Sequence, residues 1–431
     1  SNSLATKAQQ KGVQNYVLSS FFCICGKKAL SLRANYTIMT TLIILCAVLF
    51  ACSILFARHR WYAPTVLATG VWLVSLIAYA WIDHGLHPLT QETCRMVTYW
   101  LVLFCVPAWC VQSVYIKPVF KDVKTSVTAR DIYYYLSLCT LPVMILTVLV
   151  VLSRAGGNPF SALRDANVAD TNGIRTTGFF VIFWMVSYIM ELQVVSKKNL
   201  GRVVLLFLVN LFYAFISMGK MNFMILFLSS AIILTQRKIV KLWHLAIGVV
   251  VLLFLFVGIQ TIRGSYTTPK HFAALYLTSS LGNFNTNLKP ESAEQPGENT
   301  FRLYYAVKSA FDGGRTQPVD PVLDFKRVDV GEFVYGSNTY TTLYPFYKDF
   351  GQTGVIVFAV ILGLIFGYLF KTSEDGSDFS LVLYAILAGT IVMQFIGDTF
   401  FTVLSQNIQY LVAALLPFII SKFNLFTNLI K

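Results

Sequence analysis

Charge is what this chain has least of. Only 13% of its 431 residues are Asp, Glu, Lys or Arg, about half the share of a soluble globular domain, too little to cover a water-facing surface. Acids are scarcer than bases, 20 against 34, and no acidic cluster of the DxD kind, no P-loop and no GxGxxG turn is present. Those gaps weigh against a nucleotide-driven pump and against an enzyme that takes nucleotide sugars. The eight cysteines form no CxxC pair and fall mostly in apolar runs, where Cys behaves as a small hydrophobe. Neither a disulfide scaffold nor a metal site follows from them. His84 and His87 make an HxxH, but in a loop with no neighbouring Cys and no paired helix, so an ordinary interfacial segment is the better reading than zinc. No cofactor is expected.

What the chain has instead is apolar length. Hydrophobic residues make up 56%, and runs long enough to cross a bilayer recur from end to end. A crossing needs about 20 apolar residues at a rise of about 1.5 Å each. Spans are read near 36–56, 62–82, 96–115, 132–153, 177–195, 203–218, 221–236, 244–262, 353–370, 379–396 and 400–420. The runs are continuous and do not alternate with period two, so they are helices rather than barrel strands. The expected fold is an all-α polytopic membrane protein of eleven crossings, or twelve if the basic N-terminal segment 1–35 also crosses rather than lying at the interface. Its expected parts are that segment, helices over 36–262, a large loop over 263–352, and a last helical group over 353–431. None of the runs has the form of a cleaved signal peptide, and no soluble domain is expected.

Lys and Arg set the orientation. Arg58/Arg60, Lys117/Lys121/Lys124/Arg130, Lys197/Lys198/Arg202 and Arg237/Lys238/Lys241 fall in every second connection, which makes those loops cytoplasmic. The loops 83–95, 154–176, 219–221 and 263–352 then lie outside. The five cations of the N-terminal segment disagree with this alternation, whereas four later loops agree with it. The formal net charge of +14 therefore reads as topology and anionic-lipid contact, with no nucleic acid among the partners.

The outer face should be poor in cations, yet Arg154, Arg164, Arg175, Lys220, Arg263, Lys270, Arg302, Lys308 and Lys348 lie in its loops or at span ends. Pairing explains part of this, because 263–352 carries nine acids against nine bases. Lys220 and Arg263, however, stand where helices meet the outer surface, where a cation either anchors the helix or holds an anionic head group by charge-assisted hydrogen bonds. The loop is also far longer than helix connections in bundles. Phe301–Gly314 reads as an amphipathic helix ending at glycine, and Thr268–Asn285 as a second helix too brief to span. LKPESAEQPGEN between them reads as a polar surface loop. The loop is thus expected to be a folded cap over the membrane face.

Where the cap returns to the membrane stands NTYTTLYPFYKDFGQTG, Asn338 to Gly354. Tyrosines at such a boundary are first of all belt residues. Yet Asn338, Tyr340, Tyr344, Tyr347, Lys348 and Asp349 together offer neutral donors, aromatic faces, a cation and an acceptor, a set suited to sugar hydroxyls and C–H edges.

The string from Asn338 to Phe370, with its Asn, aromatic-rich turn and Asp-Phe-Gly before a glycine-containing helix, closely resembles bacterial oligosaccharide repeat-unit polymerases of the Wzy type. MGKMNFMILFLSSAIILTQRKIVKLW, IRGSY at Ile262–Tyr266, YLTSSLGNFN at Tyr276–Asn285 and ARHRWYAPTVL after the first span are similar in order. The resemblance covers roughly 36–420. One departure is Lys220, where the family pattern leads one to expect Arg; Lys supplies a point charge in place of a planar fork.

The resemblance implies an inner-membrane glycosyltransferase of GT-C type that joins repeat units carried on undecaprenyl diphosphate into a long polysaccharide at the periplasmic face. Its implied partners are that lipid-linked donor and acceptor, the bilayer, a chain-length regulator and a flippase. Diphosphate is a good leaving group, so the protein mainly positions substrates and stabilises charge on phosphate. The candidates for that charge are Arg263 and Lys220, with Arg302 and Arg175 behind them. Asp349 is the candidate to orient or deprotonate the acceptor, or else a helix N-terminal acid facing the dipole. Asn338, Tyr340, Tyr347 and Lys348 are the candidate sugar-binding residues. An O-antigen ligase shares the leaving group and loop, but the histidine-bearing motif expected after its loop is missing here. A lipid-linked oligosaccharide flippase or exporter should carry cations inside its spans.

Overall fold

The computed structural model describes residues 37–82, 84, 86–155, 159, 162–163, 166, 178–217, 219–241, 243, 248, 258, 269–288, 295–318, 326–330 and 333–430. Eight helices there are long and apolar enough to cross a membrane. They are α1 Thr37–Phe56, α2 Pro64–Trp81, α3 Gln91–Ser113, α4 Val127–Ser153, α6 Leu200–Ser217, α10 Leu343–Glu374, α11 Asp378–Val392 with a 3-10 turn to Phe395, and α12 Leu404–Ile430. Two of the expected spans are shorter apolar helices, α5 Phe179–Gln193 and α7 Lys220–Gln236. Of the expected span 244–262 only residues 248 and 258 are described, and the segment 1–35 lies outside the described residues. The chain is a polytopic helical membrane protein.

The cap contributes α8 Pro269–Thr286 and α9 Arg302–Phe311, both expected, and an antiparallel hairpin that was not. Its strands, β1 Lys326–Val330 and β2 Phe333–Ser337, pair with Val328 opposite Tyr335. KRVDV and FVYGS are short, and their alternation is too brief to mark a hairpin in the sequence.

Packing follows from side-chain size. α10 lies along α3, and a Cβ added at Gly363 would come within 2.4 Å of the Phe104 carbonyl oxygen, at Gly367 within 2.9 Å of the Ala108 Cα. The Gly363/Gly367 pair is the small-xxx-small spacing that lets membrane helices approach closely when no hydrophobic gain drives them together. α11 is apolar all round and buried all round, as such a helix must be. It packs on α7, where Gly389 faces Ile225. Buried hydroxyls and amides join the peripheral helices: Tyr133 donates to the Ala413 carbonyl at 2.7 Å, Trp184 Nε1 to Thr140 at 2.8 Å, and Tyr188 pairs with Ser230 at 2.8 Å.

The four basic connections come together at one end of the bundle. Arg60 and Tyr62 meet Glu374, Ser377 donates to the Val119 carbonyl at 2.6 Å, and Arg130, Arg202 and Asn199 surround the buried Glu191 carboxylate. This end is the far face. The opposite end carries the cap, fastened by Asn285, whose Oδ1 accepts from Thr90 N at 2.8 Å and from Thr93 Oγ1 at 2.7 Å.

Candidate functional site

The expected boundary between cap and span is not where the tyrosines are. α10 begins ten residues before the expected span and breaks at Gly351, whose φ of 59° and ψ of −148° only glycine adopts without strain. At Gly354 an added Cβ would lie 2.3 Å from the Phe346 carbonyl oxygen. The chain therefore doubles back. Phe346 and Phe358 stack with centroids 4.4 Å apart, although twelve helical residues would separate them by about 18 Å in a straight helix. Tyr340, Tyr344 and Tyr347 are consequently buried. They form no interfacial belt, because the fold-back puts them beside the span instead of above it.

A second irregular segment meets the first. Residues 396–403 join α11 to α12, and Phe400 packs 5.6 Å from Phe366, which in turn neighbours Phe104. Phe104 is thirteen residues into α3, about 20 Å below its start, so this connection is sunk well into the bundle. Irregular backbone at such depth persists only when buried in protein or lining a cavity. Here Gln394 accepts from Trp100 Nε1 at 3.1 Å through its side chain and from Thr342 N at 2.8 Å through its backbone. A Cβ on Gly397 would lie 3.2 Å from the Tyr340 carbonyl oxygen.

Between the two segments and the cap lies a cavity of about 180 Å³. Arg302 and Asn299 line it from the cap, Asn338, Tyr340 and Thr341 from the fold-back, and Asp398 from the sunk connection. Arg302 and Asp398 are 8% and 9% exposed, so opposite charges share a largely buried space. Asp398 accepts from the amides of Phe400, Phe401 and Thr402 at 3.1, 3.0 and 2.7 Å. Burial raises its carboxyl to a pKa of about 6, against the opposing pull of those amides and of Arg302. The Thr341 hydroxyl is buried on the cavity wall without a hydrogen-bond partner among the described residues. Tyr340 and Tyr344 stack at 4.1 Å and present one aromatic wall.

Of the residues picked from sequence, Arg302, Asn338 and Tyr340 line the cavity. Tyr347 stands beside it, donating to Glu92 at 2.7 Å and packing edge-on to Phe284, which ties α10 to α3 and α8. Lys348 Nζ lies 5.9 Å from the Tyr344 ring centre. Asp349 faces the cap. One oxygen accepts from Asn299 Nδ2 at 2.7 Å and from Asn299 N at 3.3 Å, the other from Thr300 N at 2.7 Å. Both oxygens thus hold the turn that delivers Arg302. Lys220 opens α7; Arg263 and Arg175 lie outside the described residues.

Asp398, Thr341 and Asn299 were not picked. For Asp398 a signal existed: IGDTFF puts an acid in a gap of three residues between the expected spans 379–396 and 400–420, and an ionisable group at that depth is a functional candidate by its cost. No family model, curated protein or solved structure matches the chain. The cavity must be read from its own chemistry. It offers a guanidinium that can fork onto two oxygens, a carboxyl that titrates in the working range of a base, unspent hydroxyl capacity and an aromatic wall.

Proposed function

We propose that this chain polymerises lipid-diphosphate-linked oligosaccharide repeat units, as a GT-C type glycosyltransferase of the bacterial inner membrane, with the cap face turned to the periplasm. The observation that carries the reading is the sunk, capped cavity in which Arg302, Asp398 and the Tyr340–Tyr344 pair converge. Arg302 takes the phosphate whose charge grows as the glycosidic bond to diphosphate breaks. An acid on the opposite wall receives the proton of the acceptor hydroxyl as that oxygen attacks the anomeric carbon. Asp398 takes this role because it lines the cavity and Asp349 does not; each acid also holds a backbone turn, Asp398 that of 400–402 and Asp349 that of 299–300. Lys220, Arg263 and Arg175 remain candidates for further phosphate contacts, and Asn338, Tyr347 and Lys348 for sugar contacts. The resemblance of Asn338–Phe370 to repeat-unit polymerases supports the same reading.

The test is purified protein in detergent with a synthetic lipid-diphosphate repeat unit. A ladder of products on a gel, lost in Arg302→Ala, is expected. Transfer onto a foreign lipid acceptor without a ladder would point to a ligase, and no consumption of any donor tried would sink the enzymatic reading.

A further inference from the structure

The cap helix α9 turns its apolar side outward. At about 100° per residue, Tyr304, Val307 and Phe311 fall within about 60° of one another, on the side opposite the buried Arg302 and Tyr305. They are 60%, 47% and 88% exposed, and no described residue covers them. A helix capping the bundle from the water would show the reverse pattern.

Ring contacts at the start of the helix set its depth. Phe301, just before α9, packs 5.9 Å from Phe358 and 6.1 Å from Phe350. Phe358 precedes Glu374 by sixteen residues of α10, about 24 Å, and Glu374 meets Arg60 on the far face. Against a hydrocarbon core of about 30 Å, Phe358 is still inside the membrane and near its outer boundary. The helix therefore leaves the bundle at that boundary and not in the water above it. It also touches α12, whose Ile408 and Leu411 are exposed within a membrane-spanning segment. Those two line an apolar cavity of about 460 Å³ between α10, α11 and α12, across the sunk connection from the polar cavity, with Phe400 and Leu404 on its wall. The lipid-facing side of α12 thus adjoins α9.

We propose that α9 is an in-plane membrane anchor, its Tyr304–Val307–Phe311 stripe seated in the outer leaflet where acyl chains meet head groups. Lys308, on the flank of the stripe, and Arg315, just past the Gly313–Gly314 pair that ends the helix, are both exposed and reach lipid phosphates from there. Asp312, the one acid between them, turns its carboxylate to the Thr316 amide. A protein partner fits less well. Three side chains on a ten-residue helix fall far short of the roughly 800 Å² that each side of a stable interface buries, whereas a lipid surface asks only for an apolar stripe with cationic flanks. Arg302 projects from the opposite face of the same helix, so the leaflet sets the height at which its guanidinium enters the polar cavity. The stripe and its depth are independent of what that cavity binds, and the anchor does not rest on the polymerase reading.

The experiment uses the full chain, one copy per phospholipid nanodisc, with two phosphatidylcholine probes carrying a diazirine either at the glycerol end or at the methyl end of an acyl chain. Peptides are mapped by mass spectrometry after irradiation. The shallow probe should label Tyr304 and Phe311 alike, and the deep probe should label 408–412 but not α9. In the combined variant Tyr304→Ser, Val307→Ser, Phe311→Ser, all on the exposed side, shallow labelling should fall several-fold and α9 amides should exchange several-fold faster while those of α3 and α11 keep their protection. An α9 unlabelled by either probe while 408–412 is labelled would place the stripe in water and overturn the anchor. Equal labelling of α9 by the deep probe, or unchanged exchange in the variant, would overturn it too. Label lost on loading two copies per disc would assign the stripe to a second copy of the chain instead.

Discussion

Asp349 makes the sharpest test of the site's architecture, since its three hydrogen bonds hold the Asn299–Thr300 turn from which Arg302 enters the cavity. Hydrogen bonds to a charged acceptor are each worth about 1.5–3 kcal/mol, and removing the acceptor leaves donors unsatisfied. The three are not additive and Asp349 is only half-buried. Asp349→Ala should therefore weaken docking of this turn by about 3 kcal/mol, with Asp349→Asn in between because one amide oxygen still accepts. In hydrogen exchange on nanodisc-held protein, a loss of about 3 kcal/mol appears as roughly a hundredfold faster exchange at the Asn299 and Thr300 amides, while amides of α3 and α11 stay protected. Polymer yield should fall in step with that protection. Unchanged protection at Thr300 with abolished activity would refute the clamp and restore Asp349 as a chemical group.

Arg302→Ala should abolish product while the protein stays folded, and Arg302→Lys should recover only part of the rate, because a point charge cannot fork onto two phosphate oxygens; equal rates for Lys and Arg would count against phosphate contact. Asp398 is raised to about 6 in the folded protein, so it is protonated below that pH and ionised above it. A base at this position makes kcat/KM rise through about pH 6 and level off, and Asp398→Asn should remove that limb of the profile. Thr341→Val removes a hydroxyl with no partner among the described residues, so thermal stability should hold or rise while KM for the donor increases; an unchanged KM would strip Thr341 of a binding role. Gly363→Ala puts a methyl against the Phe104 carbonyl, and overpacking of this kind costs about 1–3 kcal/mol, visible as a lower midpoint in detergent unfolding and absent if α3 and α10 can slide apart.

Solvent and element type were legible in composition and run length. A chain with 13% charged residues must hide its backbone in helices when the surroundings are hydrocarbon, and the basic connections marked one common end before any contact was known. Arg302, Asn338 and Tyr340 were legible as candidates too, because polar and aromatic side chains crowded beside an apolar run stand out by type. Their depth was not. It depends on one glycine conformation at Gly351 and one missing Cβ at Gly354, and a string of letters does not say that a helix doubles back. Asp398 shows the same limit from the other side: it is a lone acid in a three-residue gap of the expected spans, and only packing of Phe400 on Phe366 makes that gap a wall between two cavities. Local pattern determines what each segment can become, since periodicity and solvent act on neighbours in the chain. Which distant polar groups share a buried space is decided by close packing, where a few ångströms at a glycine move a whole segment.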